Sequence, residues 1–147
     1  KNSGPVAALL AVDPHPSPFF MIVLFLGLFF WEIGGQNIPA DWADIEEDRR
    51  LGAQTVPVRV GPHNAASIAV FAIVLALILN PVLIAISTIG VQPILASASF
   101  IAGFGLMLPA ALQLYRTRER RYAMILFNRA SYYPLVMLVS IVTYILL

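Results

Sequence analysis

The chain has 147 residues, 59% of them hydrophobic and 12% charged, with a formal net charge of +1 and a mean hydropathy of +0.82. A soluble globular domain is about 45–50% apolar and about 25% charged, so this composition argues against a soluble domain and indicates a lipid-facing surface. Because cysteine is absent, disulfide bonds and thiol catalysis are excluded. The chain begins at Lys1 without an initiator methionine or a signal-peptide pattern, so we expect residues to be missing before it.

Membrane spans are predicted in chain order from the apolar segments. Residues 1–12 are too short to cross a hydrocarbon core of about 30 Å, which takes about 20 residues, and they are interpreted as the tail of a truncated span. Pro14, Pro16 and Pro18 then exclude a helix interior. Four longer segments are expected to span the membrane: residues 19–38, 65–89, 93–115 and 130–147. The last of them could begin as early as residue 122. The predicted fold class is all-α, a polytopic transmembrane helix bundle in which short loops join antiparallel neighbours.

The arginines indicate which side of the membrane each loop occupies. The polar segments 39–64 and 116–129 are separated by two predicted spans, so they should lie on the same side. All eight arginines fall in these two segments, and none falls in the opposite loop, residues 87–92. The positive-inside rule makes the arginine-rich side cytoplasmic. We therefore expect an integral protein of a bacterial or archaeal cell membrane.

Five acids in eight residues follow the first predicted span, between residues 41 and 48. Asp41, Asp44 and Asp48 are spaced i, i+3 and i+7, which places them on one face of a helix. Their carboxylates repel one another, and the C-terminal end of the preceding helix disfavours anions, so a compensating cation is expected. Oxygen ligands in this arrangement suit Mg²⁺, which commonly bridges one or two carboxylates to a phosphate. A solvated acidic loop beside the membrane is the alternative.

The wider pattern over residues 41–61 is D-x-x-D-x-x-x-D-R-R-x-G-x-x-T-V-P-V-x-x-G, directly after an apolar span. It resembles the second aspartate-rich motif of the UbiA-type intramembrane prenyltransferases, in which DxxDxxxD is followed by a glycine, a T-[LV]-P-V stretch and another glycine. Two further spans, a basic loop and the stretch F-N-R-A-S at residues 127–131 follow in a similar order. The resemblance covers nearly the whole chain, aligned to the C-terminal half of that family.

The resemblance implies a function. Members of the family transfer an isoprenoid chain from a prenyl diphosphate to a lipophilic, often aromatic, acceptor, in a fold of roughly nine helices. Two aspartate-rich motifs hold the diphosphate through Mg²⁺, and ionisation leaves an allylic carbocation that the acceptor attacks. By position, Asp41, Asp44 and Asp48 would be the catalytic, Mg²⁺-ligating carboxylates of the second motif. The expected partners are the prenyl diphosphate, the acceptor and membrane lipids, with no nucleic acid.

The chain departs from the family pattern in one large way. The first motif, N-x-x-x-D-x-x-x-D or similar, is absent, because the other acids before residue 41 are Asp13 and Glu32 and neither has a partner at that spacing. We therefore expect residues 1–147 to be the C-terminal portion of a single membrane domain. Without the missing N-terminal half, this portion is expected to be inactive.

Arginines near the motif are candidates for binding the substrate. Arg49 and Arg50 directly follow the last aspartate, and a guanidinium group suits phosphate geometry. Pairing with the nearby acids or with lipid headgroups is the alternative for both. For the basic loop at residues 116–121, contact with anionic headgroups is favoured over a diphosphate contact.

Polar residues inside the first span are predicted to line a cavity. An acid within the bilayer is costly, so Glu32 is interpreted as functional, with helix–helix hydrogen bonding as the rival role. It lies about 13 Å before Asp41 at 1.5 Å per residue, which is too far to share a metal ion. Gln36 and Asn37 lie closer to the motif and are expected to line the same cavity. Of these polar residues, Glu32 and Asn37 are the predicted substrate-binding residues.

Glycines and prolines predict local backbone features. Gly34 and Gly35 indicate a close helix approach or a local break, and Pro39 the start of a helical turn. Gly52 is expected to cap the acidic helix, and the Asn-Pro pair at residues 80–81 to kink or end the second span.

A non-enzymatic alternative is a cation-binding membrane module or a transporter fragment. It predicts ionisable and polar residues spread through several spans, and Glu32 and Asn80 are the main candidates for that pattern. The acids of this chain instead cluster at one helix end. The identity of the acceptor and the length of the prenyl chain cannot be predicted from these residues.

Overall fold

The computed structural model describes residues 3–86 and 93–146, and every regular element in these ranges is helical. The elements are α1 (Ser3–Val12), α2 (Pro18–Trp31), a π-helix (Glu32–Asn37), α3 (Ile38–Ala43), α4 (Ile45–Leu51), α5 (Val56–Ile86), α6 (Pro93–Thr117) and α7 (Arg120–Leu146). In this part of the chain, four helical segments are long and apolar enough to cross a membrane: Pro18–Ala43, Val56–Ile86, Pro93–Thr117 and Arg120–Thr143. The predicted all-α transmembrane bundle is confirmed.

The start of the first span follows from its local sequence. α1 ends at Val12, directly before the proline-rich stretch. Ser17 caps α2, because its Oγ accepts a hydrogen bond of 3.1 Å from the backbone N–H of Phe20. Pro18 occupies the first turn, where its missing N–H has no intrahelical partner to lose.

Two helices begin earlier than the apolar segments that predicted them. α5 begins at Val56 rather than residue 65, but non-helical dihedral angles at Gly61 (φ 78°, ψ 160°) interrupt it, so its long membrane-spanning part follows Gly61. α7 begins at Arg120 rather than residue 130. Hydropathy marks the section of a helix that lies in lipid, whereas backbone hydrogen bonding continues into the polar turns beyond it. α5 also continues through Pro81 to Ile86, so the helix does not end at the Asn-Pro pair. The predicted loop 87–92 lies outside the described residues.

α5 lies at the centre of the bundle and packs against α2, the π-helix, α3 and α6. Its buried face carries mainly small side chains at helical spacing: Ala65, Ala66, Ala69, Ala72, Ile73, Ala76 and Leu77. Small residues let helix backbones approach closely, which is the main source of helix association in lipid. α6 and α7 pack on each other, and a buried hydrogen bond of 2.8 Å joins Ser99 Oγ and Tyr133 Oη across that interface.

The outer surface of the bundle is apolar. Phe71 is 61% exposed, Ile101 69% and Phe104 50%, on three different turns of α5 and α6. A soluble protein does not expose so many large apolar side chains in contiguous rows. The four apolar helices and this surface identify an integral membrane protein.

Candidate active site at the aspartate segment

A π-helix leads into residues 41–48, which we call the aspartate segment. Residues Glu32–Asn37 form i→i+5 turns between α2 and α3, and such segments occur frequently at functional sites. A Cβ on Gly34 would lie 2.9 Å from both the carbonyl oxygen of Ala69 and the Cβ of Ala72 on α5. A Cβ on Gly35 would lie 2.6 Å from the Cβ of Ala130 on α7. The two glycines therefore provide both predicted features, a close approach on two sides and a local departure from the α-helix.

Hydrogen bonds join the same segment to α7. The indole Nε1–H of Trp31 donates to the carbonyl oxygen of Ala130 at 3.1 Å. The Nε2 amide of Gln36 donates to Ser131 Oγ at 3.1 Å and approaches the carbonyl oxygen of Phe127 at 3.4 Å. The Gln36 side chain is thus hydrogen-bonded between helices, which was the rival role, and its predicted cavity-lining role stays a prediction. These contacts join the residues before the aspartate segment to the F-N-R-A-S stretch of α7.

The aspartate segment is not one continuous helix. α3 ends at Ala43 and α4 begins at Ile45, with Asp44 at φ −117° and ψ 14° between them. The prediction of a single acidic helix end is therefore wrong. Because of this break, three acids occupy the first turn of α4, where the helix dipole favours negative charge, and Arg49 and Arg50 occupy its last turn. The electrostatic cost inferred from a continuous helix is thus reduced for those three acids and remains for Asp41.

Asp41, Asp44 and Asp48 are brought to the same end of the bundle despite the break. Asp41 is half-buried. Asp48 is also half-buried, and one of its carboxylate oxygens accepts a hydrogen bond of 3.1 Å from Thr55 Oγ1. Asp44 is exposed. The segment thus presents three carboxylates of different accessibility, one of them fixed by a threonine.

Gly52 ends the acidic helix as predicted. Its φ of +72° lies in the left-handed region that favours glycine, and the N–H of Ala53 donates to the carbonyl oxygen of Asp48 at 2.8 Å. This pattern is a Schellman cap. It turns the chain so that Thr55 can reach back to Asp48.

Arginines lie beside the acids at the same end of the bundle. Arg49 Nη1 lies 3.5 Å from Glu46 Oε1, so it pairs with an acid of its own helix. A cavity of about 580 Å³ separates α4 from the turn between α6 and α7, and charged side chains make up much of its lining: Asp44, Glu46, Glu47, Arg49, Arg50, Arg118 and Arg120. Arg118 also hydrogen-bonds His63 Nδ1 at 3.0 Å. These contacts confirm that segments 39–64 and 116–129 lie on one side of the bundle.

A Mg²⁺ site at the aspartates stays a prediction. Within the ranges 3–86 and 93–146, no three or more His, Asp or Glu side chains are close enough to enclose a metal ion by themselves. Mg²⁺ does not need such a cage, since it keeps several waters and takes one or two carboxylates plus phosphate oxygens. Asp41 is half-buried and Asp44 is exposed, and of these two Asp44 lines the charged cavity beside α4.

Glu32 and Asn37 lie at the two ends of the π-helix and are both half-buried. Neither belongs to the lining of the charged cavity beside α4. A second cavity of about 320 Å³ lies between α2, α5 and α7, and its polar lining comes from Asn80, Tyr133 and Trp31. The predicted roles of Glu32 and Asn37 in substrate binding stay predictions.

Comparison with known proteins places the chain in a family. Residues 2–142 match the sequence profile of the UbiA prenyltransferase family. The chain belongs to the UbiA prenyltransferase family. It is also 32% identical over 118 residues to the digeranylgeranylglyceryl phosphate synthase of Methanosarcina mazei, an alignment that covers 80% of this chain and 39% of that protein. The chain thus spans about two fifths of the length of this relative. No solved structure matches the chain significantly.

Two contributors to the structure around residues 41–48 were missed from the sequence. Thr55 appeared only as a letter of the motif, although its spacing of seven residues from Asp48 and the intervening Gly52 turn indicate a side chain that can fold back. Trp31 lies within the apolar segment 19–38 without a signal of its own, and its partner Ala130 is 99 residues away. No local pattern could have identified that pair.

Proposed function

We propose that this chain forms the part of a membrane prenyltransferase that carries the second aspartate-rich motif. In this proposal the enzyme transfers a prenyl chain from an isoprenyl diphosphate to a lipophilic acceptor. The observation that supports the proposal is the occurrence of Asp41, Asp44 and Asp48 within eight residues at a polar end of a bundle whose sequence matches the family over residues 2–142. The arginine-rich end that holds them is assigned to the cytoplasmic side by the positive-inside rule.

The chemistry requires the diphosphate to leave with its charge neutralised. Mg²⁺ would be held by Asp41 and Asp44, with Asp48 as a further ligand, and it supplies the positive charge that makes diphosphate a better leaving group. Thr55 Oγ1 donates to one oxygen of Asp48, and in this proposal the other oxygen is the ligand. Arg50, whose side chain lines the charged cavity, is the better placed of the two neighbouring arginines for a diphosphate oxygen, because Arg49 already pairs with Glu46.

Catalysis is proposed to need the first aspartate-rich motif of the family as well, from a segment that these 147 residues do not contain. The chain spans 39% of the length of its Methanosarcina relative, and its own acids outside residues 41–48 do not repeat the motif spacing. The expected acceptor is an aromatic ring. The name of the relative adds a second acceptor class, glyceryl phosphates, to those that need testing.

The test is a prenyl-transfer assay in membranes that contain the complete reading frame. Labelled prenyl diphosphate, Mg²⁺ and both acceptor classes are supplied, and wild type is compared with Asp44→Ala. We expect at least a hundredfold loss of transfer, the usual scale for removing a group that stabilises transition-state charge. Glu119→Ala is the matched control, because Glu119 is an exposed acid at the same end of the bundle and outside the motif.

Three outcomes distinguish the candidates. Transfer that is lost in Asp44→Ala and kept in Glu119→Ala supports the site. Equal transfer in wild type and Asp44→Ala contradicts the role of the motif. Binding of Mg²⁺ without transfer to any acceptor, with every prenyl chain length tried, favours the cation-binding module instead.

A further inference from the structure

Pro134 leaves one backbone carbonyl of α7 without its helical partner. In an α-helix the carbonyl of residue 130 accepts from the N–H of residue 134, and Pro134 lies inside α7 and has no N–H. Ala130 is completely buried, so water does not reach this position. In a membrane-spanning segment, a backbone carbonyl without a donor is strongly unfavourable.

The indole of Trp31 supplies the missing donor. Its Nε1 lies 3.1 Å from the carbonyl oxygen of Ala130, and Trp31 is the last residue of α2 before the π-helix begins. The pairing is chemically matched, since indole is a donor with no acceptor atom and the carbonyl is an acceptor without its usual donor. Close contact between Gly35 and Ala130 brings the two helices near enough for this bond to form.

Gln36 makes a second connection one turn further on. Its Nε2 donates to Ser131 Oγ, and that hydroxyl donates to the carbonyl oxygen of Phe127 at 2.8 Å. The two connections therefore lie on either side of the π-helical glycines. Together they hold both ends of the wide turns against α7.

The π-helix determines the direction in which the aspartates point. A π-helical turn contains one residue more than an α-helical turn, and each residue of an α-helix turns the chain by about 100°. Reversion of the segment to an α-helix would rotate α3 by about that angle relative to α2. Asp41, three residues into α3, would then face a different side of the bundle.

We propose that Trp31 and Gln36 are positioning residues, which hold the π-helix on α7 at Ala130 and Ser131 and so keep Asp41 directed towards the metal–diphosphate site. The positioning role rests on the proposed function, whereas the Trp31–Ala130–Pro134 arrangement stands on the structure alone. Neither residue touches the reacting atoms in this proposal. Their effect is transmitted through the backbone between residues 31 and 41.

The arrangement is tested by a double-mutant cycle on the complete protein in detergent. Trp31→Phe keeps an aromatic ring and removes the N–H, and we expect a fall of about 2–4 °C in the unfolding midpoint. In a Pro134→Ala background, residue 134 regains an N–H for the Ala130 carbonyl, so Trp31→Phe should lower the midpoint by less than half as much. In a Pro81→Ala background the full shift should remain, because Pro81 lies in α5 and affects a different carbonyl.

Positioning is tested by metal binding rather than by turnover. Mn²⁺ is titrated into the same variants in the presence of inorganic diphosphate, and bound ion is measured by electron paramagnetic resonance. Trp31→Phe and Gln36→Met should each weaken Mn²⁺ binding by about three- to tenfold, the scale of one interhelical hydrogen bond. Adding Pro134→Ala should not restore Mn²⁺ binding to Gln36→Met, because the Gln36 amide donates to Ser131 and Phe127 and not to the Ala130 carbonyl.

Each outcome decides one part of the proposal. Equal effects of Trp31→Phe in the wild-type and Pro134→Ala backgrounds would overturn the carbonyl arrangement. Coupling in the cycle together with unchanged Mn²⁺ affinity would show that the bond only stabilises the fold, and would overturn the positioning role. If wild type itself binds no Mn²⁺ with diphosphate, the proposed function fails and the positioning role fails with it, while the cycle still decides the carbonyl arrangement.

Discussion

Substitution of Gly35 by alanine tests how closely the π-helix must approach α7. A Cβ at residue 35 would lie 2.6 Å from the Cβ of Ala130, whereas carbon atoms pack best at about 3.5–4.0 Å. Neither atom can move by a side-chain rotation, so the two helices must separate by about 1 Å. Separation would lengthen the 3.1 Å bond from Trp31 to the Ala130 carbonyl and loosen the start of the aspartate segment.

The expected magnitude is a balance of two effects. Overpacking a well-packed interface costs about 1–3 kcal/mol. Replacing glycine by alanine within a helix stabilises it by up to about 1 kcal/mol. We therefore expect Gly35→Ala to lower the free energy of unfolding by about 1–2 kcal/mol.

Gly105→Ala is the matched control, since Gly105 lies inside α6 and a Cβ there would have no neighbour within 4 Å. It should leave the free energy of unfolding unchanged or raise it by up to about 1 kcal/mol. Both variants are measured by denaturant titration in mixed micelles. Combining Gly35→Ala with Ala130→Gly removes the opposing Cβ and should recover most of the lost stability. If Gly35→Ala matches the control, or if Ala130→Gly gives no recovery, the close approach inferred at this interface is refuted.

Two further predictions concern the segment after the aspartates. Thr55→Val removes the hydroxyl that donates to Asp48, and the rate of prenyl transfer should fall about tenfold, the equivalent of a hydrogen bond worth about 1–1.5 kcal/mol. Thr55→Ser keeps a hydroxyl and should keep the wild-type rate. Similar losses in both variants would contradict the role of the hydroxyl. Gly61→Ala places a side chain at φ +78° and ψ 160°, and should lower the free energy of unfolding by about 1–3 kcal/mol in the same titration. Because a Cβ there meets nothing within 4 Å, the loss would come from backbone strain alone. An unchanged free energy of unfolding would contradict the left-handed conformation at this residue.

Features that depend only on residues close together in the sequence could be predicted from it. The apolar segments predicted four spans because the preference of a side chain for lipid does not depend on its neighbours in space. The acids at residues 41–48 and the pattern that follows them indicated the family, which the match over residues 2–142 shows. The cap at Gly52 was also predictable, since a left-handed residue at a helix end favours glycine.

The tertiary structure decided how those pieces are arranged. The break at Asp44 could not be read from an i, i+3, i+7 spacing, which fits one helix face equally well whether the helix continues or is interrupted. The π-helix at Glu32–Asn37 is accommodated by α5 on one side and α7 on the other, through contacts to Ala69 and Ala130 that its own sequence does not contain.

The sequence by itself thus determined the membrane class and the family, and it predicted the carboxylates of the site. In our proposal the direction of Asp41 depends on a carbonyl made available by Pro134 and on a donor 99 residues earlier in the chain, at Trp31. A hydrogen bond between distant helices forms only when packing brings the two groups together, and local sequence patterns carry no record of that packing.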